Sequence, residues 1–100
     1  MINHVVLFKL KEYASEQEKA GAVSEIKKAL LGLKGKIAEL KFIEVGTNYQ
    51  LAAKSFDIYL TTHFESVADL DVYRVHPEHL KVVGLIGKHA IDRAAVDFEF

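Results

Sequence analysis

Five histidines, His4, His63, His76, His79 and His89, are the side chains in this 100-residue sequence that titrate near neutral pH. Three of them stand where they could do chemistry. Tyr73, His76 and His79 recur at a spacing of three in Tyr73-Arg74-Val75-His76-Pro77-Glu78-His79. On an unbroken helix, residues three apart share one side. Pro77 breaks that helix, because the residue before a proline is driven out of helical geometry. The three side chains are therefore expected to line the inside of a corner, where His79 can hold or give a proton. Two plainer roles stand beside this one: His76 as a helix cap, and Tyr73 as a core aromatic with its hydroxyl bonded. His4 sits on the apolar stripe Ile2, His4, Val6, Phe8, Leu10. If helices cover that face, His4 points inward, and one hydrogen bond would satisfy it there. A mixed metal site from His76 and His79 with His4, Glu78 or Glu65 is the weaker reading. The spacing is not that of a two-histidine helical zinc motif, and the proline spoils a shared face. We expect no metal.

The elements that must position these groups follow from periodicity. Residues 2–10 alternate as a strand whose opposite face, through Val5 and Leu7, is apolar as well. A strand apolar on both sides wants cover on both. Helices supply one side, and a partner subunit is expected on the other. Residues 15–33 read as a helix, opened by a capping box of Ser15 and Glu18 and striped by Val23, Ile26, Leu30 and Leu33. Gly32 and Gly35 end it. Strands follow at 40–46 and 56–64, separated by a polar loop from Thr47 to Ser55, and Gly46 and Asn48 are expected to make a turn. Ser66 and Asp69 cap a second helix that turns Leu70 and Tyr73 inward and ends near His76. Pro77 opens a third helix, running to about Lys88, with Leu80, Val83 and Ile86 or Gly87 toward the core. Residues 94–100 close the chain as a strand with Val96, Phe98 and Phe100 on one face. The order β-α-β-β-α-α-β fits an α+β, ferredoxin-like split βαβ domain spanning residues 1–100, its antiparallel sheet covered by helices on one face and open on the other.

Composition narrows the classes. Half of the residues are hydrophobic, 27% are charged and the net charge is −1, values of an ordinary globular domain. There is no basic run or aromatic-studded basic stripe, which argues against a nucleic-acid partner. With no cysteine, disulfide frameworks, thiol chemistry and cysteine-held metal clusters are excluded. The first ten residues are too short to span a bilayer and carry no basic leader. No membrane partner is expected, and the location is read as cytoplasmic. No serine-hydrolase elbow, phosphate-binding loop or dinucleotide fingerprint is present.

Met1-Ile2-Asn3-His4-Val5-Val6-Leu7-Phe8-Lys9-Leu10, Gly46-x-Asn48, Phe64-Glu65-Ser66, Tyr73-x-x-His76-Pro77-x-His79 and the closing Val96-Asp97-Phe98-Glu99-Phe100, taken in this order, resemble the stress-responsive A/B barrel (Dabb) family over nearly the whole chain. The resemblance implies two ferredoxin-like subunits packed sheet to sheet as a dimeric α/β barrel. It also implies a relative that closes an aromatic polyketide ring by aldol condensation without a cofactor. By motif position the base would be His79 and the hydroxyl that holds the substrate Tyr73. The expected site is a pocket between sheet and helices, walled by His4, Val6, Phe8, Leu60 and His76 and taking a small apolar or aromatic metabolite. No cofactor is expected. Three readings stand at this point: a binding protein of unassigned activity, a cofactor-independent cyclase-like lyase or isomerase, and a purely structural module in stress protection.

Overall fold

The computed structural model describes residues 1–49 and 54–100. The elements are β1 (Ile2–Leu10), α1 (Glu16–Leu31), β2 (Phe42–Thr47), β3 (Ile58–Phe64), α2 (Val67–Val75), α3 (Pro77–Gly87) and β4 (Ala90–Glu99). The four strands form one antiparallel sheet in the order β2-β3-β1-β4, and helices cover one face. β1 is therefore central, paired on both edges, and it alternates as its sequence does. Ile2, His4, Val6, Phe8 and Leu10 are buried under the helices, while the residues between them are half-covered on the other side.

Local chemistry sets the helix ends. Ser15 Oγ accepts the Glu18 N–H at 3.1 Å, and Ser66 Oγ accepts the Asp69 N–H at 3.2 Å, each satisfying one of the amides that a helix start leaves open. α1 buries Ala22, Ile26 and Leu30, and a single 3₁₀ turn at Gly32–Gly35 carries Leu33 into the same core.

The structure departs from the periodicity reading in four places. β4 begins at Ala90, four residues before the expected start, because the ladder of β1 continues to Leu10 and its backbone groups need a partner there. β2 and β3 are each displaced or shortened at their first residues, though the Lys41 N–H still bonds the His63 carbonyl and the Asp57 N–H the Phe8 carbonyl. Gly46 is a strand residue rather than a turn glycine. It has no positive φ, and the space where a Cβ would sit lies 3.5 Å from the Tyr59 ring. Of the expected loop, residues 50–53 lie outside the described residues. Within it, the Asn48 amide donates to the Phe56 carbonyl at 3.0 Å.

The fourth departure bears on function. α3 turns Val82 and Ile86 inward, whereas Leu80 (53% exposed) and Val83 (47%) face outward or to the rim. Residues 80–86 are apolar nearly all round, so periodicity alone does not choose a face. The phase is set by Pro77 and its cap, and that phase puts His79 one turn before Val82 on the inner side. Among the described residues no helix is long and apolar enough to cross a membrane.

Candidate active site between the helices and the sheet

The corner between α2 and α3 is built by His76 and Pro77. His76 has extended backbone geometry, with φ −63° and ψ 134°, and ends α2. Its Nδ1 then accepts the Glu78 N–H at 3.1 Å, capping α3, while Pro77 occupies the first helical position, where no amide is needed. This turn brings Tyr73, from the last turn of α2, against His79, from the first turn of α3. Their ring centroids are 4.2 Å apart. Tyr73 also packs on Phe64 at 4.9 Å and meets the edge of His4, on β1 below, at 6.5 Å.

The hydrogen bonds fix the proton positions. His79 Nδ1 lies 3.1 Å from the Arg74 carbonyl oxygen. A carbonyl only accepts, so Nδ1 carries the hydrogen and Nε2 of a neutral ring keeps its lone pair. Burial pushes the His79 imidazole below its ordinary 6.5. The bond to Arg74 opposes that shift, and the charges of His4, Arg93 and His76 add to it. His4 Nδ1 is in short contact with Asp97 Oδ1, and the other oxygen of that carboxylate accepts from Arg74 at 2.9 Å. Asp97 thereby holds one His4 nitrogen, and Nε2 has no hydrogen-bond partner among the described residues. Tyr73 is fully buried, its hydroxyl has no hydrogen-bond partner among the described residues, and burial raises its pKa to about 12. It stays a proton donor across the physiological range. A hydroxyl buried without a partner costs about 1–3 kcal/mol.

These groups sit in the wall of a cavity of about 540 Å³ between β1, β3, β4, α1 and α3. His4, Val6, Phe8, Leu60, Tyr73 and His79, six of the seven residues singled out from the sequence, line it together. His76 does not. Its ring nitrogen is spent on the α3 cap, the plainer of its two roles. The remaining wall comes from residues not singled out beforehand, chiefly Val82 and Ile86 of α3 and Asp92 and Arg93 of β4. The Asp97 carboxylate behind His4 was also missed. One signal could have found it. If Val96, Phe98 and Phe100 share the open face, then Arg93 and Asp97 share the helix-covered one, and the β1–β4 register sets Asp97 beside His4. Among the described residues no group of three histidine, aspartate or glutamate side chains stands close enough to hold a metal ion.

A helix-covered antiparallel sheet of this order, with His4, Tyr73 and His79 gathered in the wall of a half-open cavity between sheet and helices, defines a ferredoxin-like α+β domain. The sequence profile of the Stress responsive A/B Barrel Domain matches residues 2–100, and the chain belongs to that family. It is similar to a dimeric protein of unknown function and ferredoxin-like fold from Bacteroides fragilis, with 33% identity over 99% of this chain and 95% of that one and a TM-score of 0.88. A dimeric ferredoxin-like protein of unknown function from Thermobifida fusca is 27% identical over 99% and 90% of the two chains, with a TM-score of 0.83. The hydroxynitrile lyase of Passiflora edulis shares the fold at 19% identity, over 97% and 90% of the chains, with a TM-score of 0.80. No curated protein matches the sequence.

Proposed function

We propose that the chain binds a small apolar or aromatic molecule in the cavity and holds that molecule's carbonyl oxygen on the Tyr73 hydroxyl. One observation carries this reading. A phenol that is fully buried, protonated and without a hydrogen-bond partner among the described residues lines an apolar cavity. Folding alone gains nothing from that hydroxyl, and an acceptor atom on a ligand supplies what it lacks. Val6, Phe8, Leu30 and Leu60 supply the apolar wall. The test is Tyr73→Phe, titrated with butyrophenone, an aryl ketone, by NMR shift perturbation. The variant should be as stable as the native chain or about 1 kcal/mol more so, since a buried unsatisfied group is removed. Its affinity for the ketone should fall about fivefold, the worth of one hydrogen bond of about 1 kcal/mol. A variant that loses stability and keeps affinity would make Tyr73 a structural residue.

A second reading is favoured by the two imidazoles. Each has Nδ1 engaged, His79 on the Arg74 carbonyl and His4 on Asp97, and each lies beside the Tyr73 ring with no hydrogen-bond partner for Nε2 among the described residues. In that reading His79 Nε2 takes the proton from the carbon next to the ligand's carbonyl. The C–H electron pair moves toward the carbonyl oxygen, and the resulting enolate is held by Tyr73. Such a step serves a cofactor-free lyase, isomerase or cyclase.

The same proposal includes a homodimer closed through the open face of the sheet. Tyr59, Val96, Phe98 and Phe100 are exposed there around Val5 and Leu7. Two similar proteins, from Bacteroides fragilis and Thermobifida fusca, are described as dimeric.

A further inference from the structure

The cavity wall carries two charged side chains, Asp92 and Arg93, that form no ion pair among the described residues. Arg93 lines it from β4, directly across from Phe8 on the helix-covered face. Among the described residues no carboxylate lies within ion-pair distance of the Arg93 guanidinium. The neighbouring Asp92 accepts Arg93's own backbone N–H at 2.7 Å, and Asp97 is committed to His4 and Arg74. The other arginine of the region, Arg74, is paired twice, with Asp71 and with Asp97. Arg93 is thus the arginine left free, and it stands where a ligand would pass.

Its distance from the acid–base group is informative. Arg93 and Asp97 share a face of β4 with Ala95 between them. At about 3.3 Å per residue their backbones are about 13 Å apart along the strand. The arginine side chain spans part of that length, and its charge is felt at His79. The space between is lined by Val6 and Phe8 and bordered by the small Ala95. A ligand that places a carbonyl on Tyr73 therefore has an apolar stretch and then a cation within reach.

Resting on the cavity reading above, we propose that the ligand is an anion: an apolar or aromatic carbonyl compound whose far end carries a carboxylate, held by Arg93 at the cavity mouth. A planar guanidinium matches a carboxylate with two parallel hydrogen bonds, so Arg93 selects the acid over its neutral isostere.

The probe pair is 4-benzoylbutyrate and its amide, 4-benzoylbutyramide, which differ at the far end alone. Both are titrated by NMR into native protein, Arg93→Gln and Arg93→Lys. Arg93 is exposed, so the variants should fold, and their spectra check this. The native chain should bind the acid about tenfold more tightly than the amide. Arg93→Gln should lose that preference, the acid's affinity falling to about that of the amide, and Arg93→Lys should keep part of it. Equal binding of acid and amide to the native chain overturns the proposal and leaves the cavity reading standing. A preference that survives Arg93→Gln overturns it too. If neither compound perturbs the resonances of His4, Tyr73 and His79, the cavity reading falls and this inference with it.

Discussion

Tyr73, His79 and His4 owe their chemistry to what surrounds each ring rather than to ring type. The phenol is raised to about 12 by burial, the His79 imidazole is lowered by burial, and His4 is steered by a carboxylate. A donor kept protonated and a base kept neutral can act together near pH 7. The sign of the His79 shift makes a prediction. A base works only when unprotonated, and a pKa below 6.5 keeps it so at pH values where a free imidazole is already half charged. Exchange of the α-protons of 4-benzoylbutyramide with D₂O, followed by NMR, should be level at high pH and fall on acidification with a midpoint below 6.5. His79→Gln should abolish it. A midpoint above 6.5 would remove His79 as the base. The residues of this group were legible in the sequence because their types are scarce and their spacing is regular. Asp97 and Arg93 were not, since an isolated acid or base in a strand looks like surface until a register places it beside a partner.

The corner of α2 and α3 shows how one element boundary can serve a site without belonging to it. His76 stops one helix and caps the next. His76→Ala should therefore cost about 1 kcal/mol, the usual worth of a helix cap, read by urea unfolding. Butyrophenone affinity should change little. A large loss of affinity at unchanged stability would return His76 to the binding wall. The boundaries set by named residues, Ser15, Ser66 and Pro77, were legible because capping is local. The inner face of α3 was not, since Leu80, Val82, Val83, Leu85 and Ile86 offer apolar stripes on more than one side and the helix phase decides between them. The start of β4 was hidden for a related reason. Ala90-Ile91-Asp92-Arg93 shows no alternation of its own, and it is a strand because β1 needs it.

For the molecule as a whole, the open sheet face is the largest feature the single chain leaves unfinished. It gathers Phe42, Tyr59, Val96, Phe98 and Phe100, all exposed, with the His63 ring stacked on Phe42 and tilted against Phe100, 4.6 Å from each. Leu7, at its centre, pairs with Tyr59 on one side and Ala94 on the other. Leu7→Asp should give a monomer by light scattering, because burying an unpaired carboxylate between two sheets costs several kcal/mol. Phe98→Asp, on the edge strand, does the same with less risk to the fold. An intact dimer from both would move the interface elsewhere. That the second face of the sheet is apolar could be read from Val5 and Leu7 alone. The sheet order carries one more consequence, for how the chain reaches this state. β1 is the first strand of this sheet in chain order and a central one, yet Ile2 pairs with Phe64 on one edge and with Glu99 on the other. Its partners arrive about sixty and about a hundred residues later. Contacts so distant in sequence fold slowly, and until β4 is synthesised the nascent chain carries an apolar strand with an unpaired edge, the kind of surface on which chaperones act and neighbouring chains stick.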